Sequence, residues 1–588
     1  MADSPLLDTE GPVQLAIKVD GKALADDVPV QSVRVQLAVN RIPDATVVLL
    51  CEAAQLPDDE VLGSSALKVG AEIEIAAFYG DEGEQTLFKG LIVSIRLRAD
   101  SGKGVRLELN CRDKALKMTE VRSSVPYLDV KDSDVMTTII KDAGLTADIE
   151  ATTSETPLNL RVGATDWDFL RLMADRNGQV LMTADGKITS SAIDLSTAVV
   201  LTLTYGEDIV EMDIAVDAGR ALGKAKASAW NAKDQKLASG EDSTFLTGIP
   251  SDTSQADIAK VLGTREHLSN TAREFPEAEL TGFSKARMAR ASLATVHGSF
   301  KFQGSGKVNP GDMIELAGVG DRYGGNHFVS EVFHDIAGGV WSTTTRVGLP
   351  QDWTSDSFGL GAAGAEALTA PIYGVQVGKV KKLTEDPEGM QRIQVSLPMI
   401  GDPPADVWAR HATPYATKDA GFHFLPEVGD EVLVAFLNAD PNAPVIIGAV
   451  HSPDISRPDE PVEENYIKTI VTPTGMKLTF EEEKKVITLE TPGAHKFTMD
   501  DDAKSVSLED SNGNSIVMDG GGITMTSAAD VSISATGDIT AEATGDATIK
   551  GLNVTCEGQV GFTGKGGASA ELSAGGTTDV KGAMVNIN

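Results

Sequence analysis

Residues 522–550 read GITMTSAADVSISATGDITAEATGDATIK, and their spacing decides the architecture. At intervals of eight stand Ile523, Val531, Ile539 and Ala547, and two places after each come Met525, Ile533, Ala541 and Ile549. Asp530, Asp538 and Asp546 precede the later pairs, and Gly537 and Gly545 close successive octads. A fixed period of this kind is the mark of a repeated structural unit. Apolar–polar alternation inside each octad specifies a strand, and the Gly-Asp step specifies a turn.

A strand offering two small apolar side chains per turn cannot build an interior alone. Burying one such side chain contributes about 1.5–3 kcal/mol, whereas fixing each residue costs roughly 1–2 kcal/mol of backbone entropy. Several copies must therefore wind around a shared apolar axis, which also removes open strand edges. Three copies forming a triangular prism is the expected geometry, with Ile523, Met525, Val531, Ile533, Ile539, Ala541, Ala547 and Ile549 as its core. Similar pairs precede the octads: Leu478/Phe480, Ile487/Leu489, Phe497/Met499, Val506/Leu508 and Ile516/Met518. Residues 472–588 hold no Trp, Tyr or Arg, and eight lysines face seventeen acidic residues. The expectation is a thin, stiff, acidic needle. A single-chain β-solenoid is the alternative, and the kept apolar phase argues against low-complexity disorder.

The whole chain has 588 residues, a formal charge of −35 and a pI near 4.6. Its length suits about four domains. So negative a chain lacks the cationic surface that nucleic-acid backbones and anionic membranes require. With 58 glycines and 5% aromatics, it favours tight turns and thin β layers. Cys51, Cys111 and Cys556 are far apart and without CxxC spacing, so no disulfide framework or cysteine zinc site is expected. They read as reduced, mostly buried thiols. The acidic start Met1-Ala2-Asp3-Ser4-Pro5 is unlike a secretory signal, and no run approaches the ~18 apolar residues of a membrane span.

Upstream of the needle the chain reads as mainly β with an α+β hub. Alternating runs at Val33–Val39, Ile73–Phe78, Leu87–Val93 and Val105–Leu109 give a first hub β-barrel over 1–120. Residues 121–200 form an α+β insertion. There Ser133 caps one helix, and Thr165-Asp166-Trp167-Asp168 opens another that Asn177-Gly178 stops. A second barrel with helices near 254–269 and 284–294 fills 201–354. The small-residue stretch 355–372 reads as a linker. Five strand-like runs between 373 and 453 suit an OB-type barrel, 454–471 a neck, and 472–588 the needle.

This order of parts resembles the spike proteins of contractile injection machines, the VgrG family, equivalent to the fused hub and spike of contractile-tailed phages. The most specific stretches are Asp166-Trp167-Asp168-Phe169-Leu170-Arg171-Leu172 with Gly178, and Leu425-Pro426-Glu427-Val428-Gly429-Asp430-Glu431 continuing through Asp440-Pro441 and Pro444–Gly448. Asp510-Ser511-Asn512-Gly513-Asn514 resembles the start of the family's needle. The resemblance implies a homotrimer at the baseplate. It would cap a hexameric inner tube, adapt threefold to sixfold symmetry, and pierce a target envelope touched only on firing. It also implies baseplate proteins as partners, a PAAR-type tip protein on Val585, Asn586, Ile587 and Asn588, and in some cases effector cargo. Synthesis in the bacterial cytoplasm, assembly into a particle, and release or ejection follow. The chain looks more like the extracellular-injection branch than a long secretion-type spike.

No enzyme, cofactor or metal is expected. The gap from Ser452 to Thr472 is too short for a catalytic domain, and no domain follows the needle in this sequence. None of the eight histidines lies in HExxH, and no GxSxG occurs. His327, His334 and Asp321 could be imagined as a metal site, but core or surface histidines are the simpler reading. Gly318–Gly324 misses GxGxxG and reads as a turn. The alternatives are a polysaccharide-degrading tailspike, which needs paired carboxylates and sugar-stacking aromatics, and a passive adhesin or scaffold. Asp500-Asp501-Asp502 reads as a solvated acidic turn.

Overall fold

A computed structural model describes residues 3–6, 11–25, 27–51, 64–101, 104–231, 236–271, 275–354, 364–401 and 403–587. The chain divides into two compact units, Met1–Ser456 and Arg457–Asn588.

In the first unit, alternating strands assemble into one continuous sheet of thirteen. Its path runs from Ile209–Val216 through Val296–Gln303, Val340–Val347, Gly325–Ala337, Val30–Ala38, Asp44–Cys51, Gly104–Arg112, Gln85–Asp100 and Glu72–Tyr79 to Val13–Val19 and Lys22–Ala23. Two separately bounded barrels were expected; instead one strand serves both halves. Gly325–Ala337 pairs with Met313–Ala317 at its start. A register shift at Val329/Glu331 then marks where the rest, from Glu331↔Ala38 to Ala337↔Ser32, joins the first half, as an irregularity in a long strand allows. Each half keeps its own core. Val33, Val47, Ile75, Ile92 and Leu109 fill one, and Leu203, Phe300, Phe302, Ile314 and Val332 the other. Trp341 crosses into the first core, stacked on Tyr79 at 5.4 Å between ring centroids.

The insertion holds helices Asp132–Asp142 and Asp166–Arg176, an antiparallel pair of strands, Arg122–Lys131 with Glu155–Thr165, and a small three-stranded sheet. Thr165 caps the second helix by accepting from the Asp168 N–H at 3.1 Å. Trp167, Phe169, Leu170 and Met173 drive its inner face against Met136, Ile139 and Ile140. Ser133 is not the cap of the first helix: it lies inside the first turn, after Lys131, and its N–H donates to Thr152 Oγ1 at 3.2 Å. The helix expected over 254–269 is only Gln255–Lys260. Gly263, at φ +76°, turns the chain, and Glu266–Thr271 becomes a strand parallel to Lys224–Asn231. The helix expected over 284–294 is longer, Glu277–Ala294.

Strands Val375–Lys382, Ile393–Leu397, Ala405–His411, Pro444–Ala449 and Glu431–Phe436 close a five-stranded barrel. Its interior is completed from outside: Leu160, on strand Glu155–Thr165 of the insertion, is fully buried among Val380, Val395, Val407, Val434 and Ile446. The Leu160 N–H donates to Asn442 Oδ1 at 3.2 Å, and Thr369 Oγ1 donates to the Leu160 carbonyl at 3.1 Å. Of the expected linker, residues 355–363 lie outside the described residues. The remainder is packed rather than free, with Leu368, Thr369 and Ile372 buried. Adjacent residues hold its flanks. Asp175 Oδ2 accepts from the Thr354 N–H at 2.8 Å, and Arg176 Nη1 donates to the Leu368 carbonyl at 2.9 Å.

The second unit opens with a seven-stranded antiparallel meander: Ile467–Val471, Lys477–Glu481, Val486–Glu490, Lys496–Asp500, Ser505–Glu509, Ser515–Asp519 and Gly522–Thr526. Each reversal has one residue with positive φ, in the turn at Gly475, Lys485, Ala494, Lys504 and Gly513 and at the first residue of the following strand at Gly522, as tight reversals demand. This pairing within a single chain was not anticipated; the octad reading placed all winding between chains. From 527 to 587 no strand occurs among the described residues.

Candidate trimerisation surface

Strand register sorts the meander into two faces, because successive side chains point to opposite sides. One face carries two apolar columns. The first pairs Leu478↔Leu489, Leu489↔Phe497, Phe497↔Leu508, Leu508↔Ile516 and Ile516↔Met525. The second pairs Phe480↔Ile487, Ile487↔Met499, Met499↔Val506, Val506↔Met518 and Met518↔Ile523. The opposite face bears a central column of Thr469, Thr479, Thr488, Thr498 and Ser507. It is flanked by Lys477, Glu490, Lys496 and Glu509, whose signs alternate from strand to strand.

The polar face is the one expected to meet water, yet Phe480, Leu489, Met499, Leu508 and Met518 are all exposed while Thr479, Thr488 and Thr498 are half-buried. A contiguous open apolar face of this length is unfavourable in a soluble protein and marks an interaction surface.

The expected core residues divide between two environments. Ile523 and Met525 sit on the last strand of the meander and end the two columns. Val531, Ile533, Ile539, Ala541, Ala547 and Ile549 lie beyond it outside any strand, where Ile533 is 74% and Ile549 82% exposed. Leu552 and Val560 are fully exposed. At the end, Val585, Asn586 and Ile587 are exposed, and Asn588 lies outside the described residues.

Asp510 and Asn514 build the turn that delivers the chain to this stretch. The Asp510 carboxylate accepts from the N–H groups of Asn512 and Asn514 at 2.9 and 2.8 Å, and from Asn514 Nδ2 at 2.8 Å. These hydrogen bonds, the Asn514 side chain first among them, pull its pKa down to about 2. Asn514 Oδ1 in turn accepts from Ser527 Oγ and the Ala528 N–H, both at 3.0 Å. The start of the needle noted in the sequence is thus a carboxylate-centred turn that fixes where the meander ends.

Other sequence features resolve into packing. His334 is buried, with Nδ1 3.0 Å from Thr343 Oγ1 and beside the Trp341 indole N–H; burial pushes its pKa down to about 3. His327 is buried with Nε2 donating to the Tyr323 carbonyl at 2.8 Å. Among the described residues no group of three or more His, Cys, Asp and Glu is arranged to hold a metal ion. Gly318–Gly324 is a turn between Met313–Ala317 and Gly325–Ala337, and its Gly324 N–H donates to the Gly320 carbonyl. Asp500 Oδ1 accepts from the Ala503 N–H at 2.8 Å in an exposed turn. The cysteines are less uniformly buried than expected. Only Cys111 is buried, its thiol raised to about 12 by desolvation, while Cys51 is half-buried and Cys556 exposed.

Residues 9–338, more than half of the chain, match the family described as the Alg8 N-terminal domain. Residues 376–451 match the type VI secretion system/phage-baseplate injector OB domain, and 486–542 the phage baseplate V C-terminal trimerisation domain. No curated protein matches the chain. Among solved structures, the half-lidded Francisella PdpA–VgrG complex aligns with TM-score 0.51 and 9% identity, covering 88% of this chain and 88% of that one. Its lidded form aligns at 0.50 and 10% identity, covering 89% and 80%. A type VI secretion component of E. coli, described as structurally similar to T4 tail proteins gp27 and gp5, aligns at 0.46 with 13% identity, covering 74% and 99%.

Proposed function

The chain belongs to the Alg8 N-terminal domain family and is a spike-like protein of the phage-baseplate and type VI secretion kind, and from that premise we propose that it is the homotrimeric central spike of a contractile, phage-tail-like injection machine. One observation carries the reading. The meander and the octads together hold two long rows of apolar side chains that a single chain leaves open, and residues 486–542 within them match a trimerisation domain. Three copies closing these rows around an axis would bury them and turn the Thr/Lys/Glu face outward.

The hub would dock such a spike on a hexameric inner tube within the baseplate. Each chain brings two sheet halves with separate cores, so three chains present six. The acidic shaft would transmit the thrust of contraction to the target envelope. A PAAR-type tip protein would cover the apolar edge at Val585, Asn586, Ile587 and Asn588, and cargo would ride on the same particle. The contribution of this chain is mechanical, not catalytic, and no cofactor takes part. It would be made in the cytoplasm and leave it with the particle.

The test is the mass of the purified full chain in dilute solution, followed by an electron micrograph. A three-chain rod with a wider head is expected. A folded monomer with its tail intact would refute the proposal. Deleting 584–588 should abolish tip-protein retention and leave the trimer whole.

A further inference from the structure

Two strands of the hub leave part of an edge without a partner, and both edges line one cleft. Gln179–Ala184 is the outer strand of its three-stranded sheet and pairs only with Lys187–Ala192. On its open side it meets Asn40, whose N–H donates to the Leu181 carbonyl at 2.7 Å, while the Leu181 N–H donates to Asn40 Oδ1 at 2.8 Å. Main-chain groups alternate in direction along a strand, so Thr183 points to that same side. Gln85–Asp100 has a similar gap. Its Ile92 N–H donates to the Ala71 carbonyl at 2.9 Å, so Lys89, three residues earlier, faces the other way, towards Gly104–Arg112. That ladder stops at Leu91↔Arg112. Among the described residues no backbone group pairs with Thr183 or Lys89 on these sides. The cleft between them has a volume of about 430 Å³, and Leu37, Leu87, Lys89, Met182, Thr183 and Pro310 contribute to its walls.

We infer that this cleft receives an extended, uncharged segment of another protein as an added strand. An unpaired strand edge recognises a main chain, and two edges in one cleft offer it hydrogen bonds from both sides. A strand seated there would tie the thirteen-stranded sheet to the small sheet of the insertion. The charges around the cleft are already matched, which selects an uncharged occupant. Lys89 lies 3.5 Å from Glu74 and Lys187 2.7 Å from Asp148. Buried Asp113 accepts from the N–H groups of Ala115 and Gly186 at 2.8 and 3.0 Å. Leu37, Leu87 and Met182 suit apolar side chains at alternate positions of the guest. The site lies wholly in the first unit, so the inference does not depend on the trimeric shaft.

The test adds a fluorescent, end-capped peptide of alternating valine and threonine, six residues long, to the full chain and follows its anisotropy. Two further copies are N-methylated, one on the odd and one on the even residues, which removes one set of main-chain donors without changing any side chain. The parent peptide should bind saturably, and at least one methylated copy should bind roughly tenfold or more weakly, as the loss of two or three hydrogen bonds implies. Thr183→Pro, which deletes the N–H on the open edge, should weaken the parent peptide; should that variant fail to fold, the methylated peptides decide alone. A benzoylphenylalanine at the centre of the peptide should crosslink to residues 86–89 or 182–184. No saturable binding, equal binding of all three peptides, or crosslinks elsewhere would overturn the inference. None of these results alters the mass of the free chain, on which the spike reading stands or falls.

Discussion

Exchanging one shaft residue tests the argument at its root. Ile533 occupies an octad position and is 74% exposed in a single chain, so nearly its whole side chain is available for burial on association. At about 2–3 kcal/mol per isoleucine transferred from water, three copies contribute roughly 6–9 kcal/mol to the trimer. Ile533→Ala removes most of this, about 6 kcal/mol per trimer, or about four decades in the association constant at 1.4 kcal/mol per tenfold. Ile533→Asp is worse, because an unpaired carboxylate taken out of water costs several kcal/mol more per chain. Ser532, one position away, points to the opposite side of an extended chain, so Ser532→Asp should stay within about 0.5 kcal/mol of the parent. The assay is the mass distribution against protein concentration by light scattering or mass photometry. Equal damage from Ser532→Asp and Ile533→Asp, or no effect from either, would refute the period-two reading of the shaft and the shared interior built on it.

Leu160→Ala should destabilise the first unit by about 2–5 kcal/mol, the range for emptying a fully buried leucine site, read as a shifted denaturant midpoint. Ala494→Gly should raise the stability of the meander by roughly 1 kcal/mol, because alanine sits there at φ +58°, a conformation that penalises any side chain with a Cβ; calorimetry of the full chain checks it. His334 is held neutral, with its pKa depressed to about 3 against an ordinary 6.5. The unfolded chain therefore binds the extra proton between these values, and stability is full above pH 6.5 and falls by up to about 1.4 kcal/mol per unit as pH drops towards 3. Urea midpoints at pH 7 and 5 should show that slope, and His334→Gln should flatten it.

Local patterns were readable and long-range partnerships were not. The five barrel strands announce themselves through alternation and turn residues, and the octads through their period. That Gly325–Ala337 would pair with Val30–Ala38 could not be read, since both runs suit many partners and some three hundred residues separate them. The helix pattern near 254–269 failed at Gly263, where a strand partner 40 residues upstream outweighed local propensity. Residues 364–372 look like a spacer by composition, yet small side chains also suit close packing, and buried Arg176, donating to the Leu368 carbonyl, draws them in. At the candidate surface, the apolar pairs were visible but the face they share was not, because register depends on turn lengths.

Leu160 has a consequence for anyone exchanging parts between such proteins. The barrel looks like a portable cassette, bounded by residues 375 and 449, but its hydrophobic centre is finished by a leucine supplied from more than two hundred residues earlier. A chimaera cut at the apparent borders would inherit a hole in one parent's barrel and a stranded side chain on the other's strand. Transplants that carry Glu155–Thr165 together with the barrel should fold where the bare cassette does not.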